Sequence, residues 1–180
     1  MVFLLAVVAG GTLMAGHTYT LPHPLATDPA LAAALAPFAT GPRWTLVHVL
    51  YGRCRCSHAI LDEIAEGPRP PDVAEVVLAV DPPADWAARL GRRGVTLVVT
   101  DQAGLKRDYG IEAAPLLVVL APGGGVAYSG GYTSRKQGPD IEDLAIVAAL
   151  RSRAVPQTLP VYGCATAREL ARAIDPLGIK

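Results

Sequence analysis

Continuously apolar runs alternate along this chain with segments in which apolar residues recur every three or four positions. The alternation is clearest from Trp44 onward. Residues 44–51 are apolar and carry the β-branched Thr45, Val47 and Val49, the pattern of a buried strand. After a short basic loop, Ala59, Ile60, Ile64 and Ala65 recur at helical spacing, with Asp62, Glu63 and Glu66 turned outward. Residues 75–80 predict a second strand, 84–90 a short helix stopped by Gly91, and 95–100 a third strand. Residues 102–110 predict a turn and a helical turn. Residues 116–120 and 126–129, joined by Pro122-Gly123-Gly124-Gly125, predict a hairpin, and residues 139–151 a helix with Ile141, Leu144, Ala145 and Ala148 as its apolar stripe. Strands alternating with helices predict an α/β domain over 43–152, with a central mixed sheet covered by helices on both faces. No internal repeat appears.

The two ends follow different patterns. Residues 1–16 are uncharged and mostly apolar. That length lies between the roughly 7–15 residues of a signal h-region and the about 20 of a spanning helix. No A-x-A site follows, so the stretch reads as an uncleaved signal anchor in preference to a cleaved signal peptide. An anchor there places the domain outside the cytoplasm, where disulfides persist. Residues 17–42 are rich in Pro and Ala and read as a linker, with a short helix around 28–36 opened by Asp28-Pro29. Residues 155–160 read as a second spacer. A terminal helix over 166–174 completes a C-terminal extension, 153–180, that carries Cys164 immediately before that helix.

Composition narrows the function classes. The chain has 180 residues, 51% hydrophobic and 18% charged, enough for one domain with a sizeable core. Sixteen basic residues balance sixteen acidic ones and form no basic stripe, which argues against a nucleic-acid partner. Three cysteines, Cys54, Cys56 and Cys164, are an odd number and too few for a disulfide scaffold. A lone cysteine is ordinarily a small buried hydrophobe. Cys54 and Cys56, however, sit where a strand turns into a helix, and a helix N-terminus offers unpaired N–H groups and partial positive charge. A thiolate is favoured there, and Arg53 and Arg55 flank Cys54 and act in the same direction. The pattern predicts a redox or metal-handling thiol site.

Four features together resemble the thioredoxin-like superfamily, in particular its membrane-tethered periplasmic thiol–disulfide oxidoreductase branch. They are the strand leading into Cys54-Arg55-Cys56-Ser57, the helix with Ile60-Leu61-Asp62-Glu63-Ile64, the segment from Asp108-Tyr109-Gly110-Ile111 to Ala114-Pro115, and the hairpin that follows it. The resemblance covers about residues 43–152. It implies a thioredoxin-like fold, a cis-proline at Pro115 that holds the substrate's disulfide strand, and Cys54 as the nucleophile. It also implies protein thiols or disulfides as partners and a periplasmic location, anchored in the inner membrane. The sequence departs from the family pattern at one point. Ser57 stands where the second cysteine of Cys-x-x-Cys belongs, Cys56 comes one residue early, and Arg53 replaces the usual tryptophan.

Three chemistries follow. Cys54 and Cys56 can form a small, strained, easily reduced Cys-x-Cys disulfide. Cys54 can attack a substrate disulfide that Cys164 then resolves. Alternatively, Cys54, Cys56, Cys164 and His58 can act as soft ligands for copper, in a metallochaperone that needs no redox turnover. No other cofactor is expected, and a redox-inert interaction domain is the remaining class. His48, inside an apolar strand, reads as a satisfied core histidine. Asp81 and Asp101 read as turn caps.

Overall fold

Strand β1 (Trp44–Tyr51) is the centre of a five-stranded sheet in the order β3-β2-β1-β5-β6. The computed structural model describes residues 19–136, 138 and 140–175. The apolar stretch 1–16, read as an anchor, lies outside the described residues. Strands β2 (Val73–Val80) and β3 (Thr96–Thr100) run parallel to β1 on one side, and β5 (Leu116–Leu120) and β6 (Val126–Gly130) complete an antiparallel half on the other. The six central residues of β1 are all buried, which is why the run is continuously apolar instead of alternating.

Successive β1 side chains feed two cores. Leu46 and Leu50 pack with Ile60, Leu61 and Ile64 of α2 (Arg55–Glu66), Trp86 and Leu90 of α3 (Asp85–Gly91), and Ile146 and Val147 of α5 (Asp143–Arg151). On the opposite face, Val47 and Val49 pack with Leu31 and Leu35 of α1 (Pro29–Leu35) and Leu105 of α4 (Gln102–Tyr109). Helix α6 (Arg168–Ile174) lays Leu170 and Ile174 against this second core. Asp28 and Asp101 cap α1 and α4, accepting from Ala30 N at 2.9 Å and Gly104 N at 2.6 Å. A mixed sheet with helices on both faces fits the thioredoxin-like fold. Among the described residues no helix is long and apolar enough to cross a membrane.

Two boundaries read from the sequence are corrected. The part of the 17–42 linker that is described belongs to the fold. Leu31 and Leu35, one turn apart on α1, are fully buried, and Leu21 N donates to Val161 O at 2.9 Å. The 155–160 spacer likewise ends in structure: Leu159 and Val161 are buried, and Leu159 N donates to the Tyr128 hydroxyl at 3.1 Å. The alternating Ala and Leu supply apolar faces that the interspersed prolines disguise. The helix expected over 139–151 begins at Asp143, and the terminal helix begins at Arg168.

One feature went unforeseen. A second, two-stranded sheet joins β4 (Ala113–Ala114) to β7 (Cys164–Ala165), antiparallel, with Ala113 opposite Ala165 and Ala114 opposite Cys164.

Candidate active site: a cluster of three thiols

Cys54 is the N-cap residue of α2. Its backbone is extended, its carbonyl accepts from Ser57 N at 3.0 Å, and its side chain is fully buried. The strand-to-helix turn is fastened in part by a side chain. Ser57, at the position of the missing fourth-place cysteine, accepts a hydrogen bond from Tyr51 N at 3.0 Å through its hydroxyl. Ser57 therefore ties the end of β1 to the first turn of α2.

The Ala114–Pro115 peptide is cis. Cys54 Sγ lies 3.7 Å from the Ala114 carbonyl oxygen, to which the thiol donates. Because β7 pairs with β4, Cys164 sits directly across from Ala114 and reaches the same sulfur. The thiols of Cys164 and Cys56 both act on Cys54, the group that the two share. Cys54 is thus the middle member, and its two neighbours are each partly exposed.

The arrangement polarises the three sulfurs. Hydrogen bonds from Cys164 and then Cys56 hold the Cys54 thiol far below its ordinary range, against the opposing effect of burial. Backbone N–H groups of Ser57 and Cys56 add to the lowering, as expected at a helix N-terminus. Cys56 and Cys164 move the other way, raised by donating to Cys54 and by burial. When Cys54 loses its proton it stops donating to Ala114 and becomes an acceptor for two thiols. All three cysteines are free.

The arginines expected to stabilise the thiolate are placed elsewhere. Arg53 is largely exposed and pairs with Asp81 at 3.2 Å, and Arg55 is exposed. Thiol and backbone donors do the work assigned to them, because the N-cap geometry that buries Cys54 points its chain neighbours outward. His58 also turns from the thiols. Its Nε2 donates to Gly52 O at 2.7 Å and its ring meets Trp86 edge-on.

His48 is a satisfied core histidine, hydrogen-bonded to the Tyr132 hydroxyl at 2.9 Å and to Glu75 Oε1 at 3.2 Å. Its wider setting was not anticipated. Arg69, on the loop before β2, joins Glu75 to Asp143, reaching Asp143 Oδ2 at 2.6 Å. Among the described residues, His48, Glu75 and Asp143 are the group of three or more ligating side chains whose donor atoms lie within 4.8 Å of one another. The Arg69 guanidinium already supplies positive charge to both carboxylates. The three thiols do not form such a group.

A cleft of about 970 Å³ is lined by Arg53, Asp81, Lys106, Arg107, Arg168 and Glu169 among others. Charges of both signs line it and none of the cysteines does.

No family model matches the chain, and no curated relative matches it. Its fold is similar to an uncharacterized conserved protein from Geobacillus kaustophilus, at a TM-score of 0.54 and 16% identity, over 69% of this chain and 77% of that one. It is similar to a hypothetical protein from Sinorhizobium meliloti to the same degree, TM-score 0.54 and 16% identity, over 83% and 91%. The thioredoxin domain of a thiol-disulfide oxidoreductase from Bacteroides vulgatus gives a TM-score of 0.33 at 14% identity, over 61% and 84%, too distant to carry an argument. These likenesses bear on fold alone. The sheet order, the cysteine at the N-terminus of α2 and the cis Ala114–Pro115 peptide facing it together fit the thioredoxin-like arrangement.

Proposed function

We propose that the chain performs thiol–disulfide exchange on an extracytoplasmic protein, with Cys54 as the attacking thiolate and Cys164 as the resolving thiol. The observation that carries this reading is the placement of Cys164 opposite Ala114, within hydrogen-bond reach of the lowered Cys54 sulfur. Cys54 attacks one sulfur of a substrate disulfide R–S–S–R′, forming Cys54–S–S–R and releasing R′S⁻, which takes a proton. Cys164 then attacks Cys54 Sγ as a thiolate, forming the Cys54–Cys164 disulfide and expelling RS⁻. Two electrons pass from the cysteine pair to the substrate, and an external dithiol restores the pair.

Cys164 suits the resolving role better than Cys56. A Cys54–Cys56 disulfide closes a small, strained ring across the N-cap and first turn of α2. Pro115 is the platform beside the reacting sulfur. The uncharged residues 1–16 support a location outside the cytoplasm and an inner-membrane anchor.

The test is turnover of a protein disulfide by wild type and three variants. C54S abolishes turnover, C164S accumulates a mixed disulfide on Cys54, and C56S retains turnover. Wild-type turnover in C54S overturns the reading. The two soft thiols beside Cys54 favour one alternative, a copper-binding module without disulfide turnover. One equivalent of Cu(I) bound through all three thiols, with no disulfide reduction, selects that alternative.

A further inference from the structure

Cys54 has to meet an external sulfur, yet it is fully buried. The chain's own C-terminal segment contributes the cover. Gly163 lies against the cis-proline so closely that a Cβ there would overlap the Ala114 carbonyl and sit 2.6 Å from Pro115 Cδ. Cys164 and Ala165 pair with β4, and Thr166 N donates to Glu112 O at 2.8 Å. The edge of β4 next to Cys54 is therefore occupied by a Gly-Cys-Ala segment of the same chain. Exposed strand edges are where extended peptides add, using backbone hydrogen bonds for affinity and side-chain pockets for selection.

The fastening of this segment is uneven. Up to Val161 it is held firmly. Val161 is fully buried, it bridges Leu21, and the Pro160 carbonyl lies where a Cβ on Gly131 would be. Beyond Tyr162 the hold consists of two residue pairs, bonds from Thr166 N and Ala167 N to the Glu112 carbonyl, the partly buried Leu170 and Ile174 against the second core, and an exposed Lys106–Glu169 ion pair of the kind that contributes little. Helix α6 has no fully buried residue. Thr166 works against closure: it is buried, and its hydroxyl has no hydrogen-bond partner among the described residues. Opening at Tyr162–Gly163 frees that hydroxyl to water.

We propose that residues 163–167 are an internal competitor for the β4 edge. The segment covers Cys54 at rest and lifts to admit an extended, disulfide-bearing protein segment. It then returns to deliver Cys164 as the resolving thiol. The partner it fits is an extended chain with glycine immediately before its cysteine, since a Cβ at that place collides with Ala114. The reaction is the balanced exchange written above, and the inference rests on that reading. What is added is that access to Cys54 is gated by its own resolving strand, and that the Cys54–Cys164 disulfide locks the gate.

The gate is tested without exchange chemistry. In the full-length chain carrying C56S and C164S, Cys54 is the sole thiol, and its alkylation by iodoacetamide reports the open fraction. Adding G163A crowds the closed segment against Ala114 and raises the rate about tenfold. Adding T166V removes the unpartnered hydroxyl, favours closure and lowers the rate about tenfold. A G163A rate about a hundredfold above the T166V rate is expected, and a ratio within about threefold, or inverted, overturns the gate. T166V fills the same space as threonine, so the comparison with the parent survives even if G163A fails to fold. A failed gate leaves the C54S and C164S turnover results intact, so the two claims fall separately.

Discussion

Glu75→Gln isolates the electrostatic part of the buried network that braces β1 and β2. Glu75 is 8% exposed and is held by His48 and Arg69. Burial alone raises its carboxyl, but hydrogen bonds and charge from His48 and Arg69 prevail and lower it from 4.5 to about 2. At about 1.4 kcal/mol per pH unit, that displacement contributes about 3 kcal/mol of stability at pH 7. The sign is that of a lowered acid. The contribution is fully present above the unfolded value of 4.5 and is lost as pH falls through the folded value near 2. The glutamine variant imitates the protonated side chain at every pH. Urea unfolding followed by far-UV circular dichroism, with thiols kept reduced, therefore finds E75Q less stable than wild type by about 3 kcal/mol at pH 7. At pH 3 the gap has closed to less than half. A gap that is the same at pH 7 and pH 3, or absent at pH 7, refutes the reasoning.

Other consequences are as direct. Leu35→Ala empties a fully buried position on α1 and costs about 2–5 kcal/mol, lowering Tm by about 5–15 °C in a scanning calorimeter. An unchanged Tm would restore the linker reading of 17–42. Cys164→Ala removes the largest lowering influence on Cys54, so the pH profile of Cys54 alkylation in a C56S background moves upward, measured by mass spectrometry. An unmoved profile removes Cys164 from the thiolate's environment. Ser57→Ala leaves Tyr51 N without its side-chain acceptor and costs about 1–3 kcal/mol by urea unfolding, which a wild-type midpoint would contradict.

The main sheet was legible because its strands are buried on both faces and punctuated by Gly and Pro. Residues 116–120 read as a strand for the same reason that all five are buried. Strands β4 and β7 were not legible, since two residues carry no period. Their partnership also depends on chain segments far apart in sequence. The small residues Ala113, Ala114, Gly163 and Ala165 are the only local sign that two backbones meet there. Cys54 could be placed on a helix N-terminus from the strand–loop–helix pattern alone. Cys56 and Cys164 were named as its partners too, but the pairing of β7 with β4 that carries Cys164 to Cys54 comes from the fold, and proximity in sequence alone selected Arg53 and Arg55. His48 was readable as a core histidine from its apolar surroundings. Its partners Glu75, Arg69 and Asp143 sit on a strand, a loop and a helix, and only the fold brings them together.

The central claim is that Cys54 and Cys164 are the exchanging pair. The direct measurement is a disulfide map of the full-length protein after equilibration in a glutathione redox series, with metal content determined alongside. The account predicts one reversible disulfide, Cys54–Cys164, with a potential between about −120 and −270 mV. A Cys54–Cys56 linkage, or three free thiols under oxidising glutathione, would contradict it.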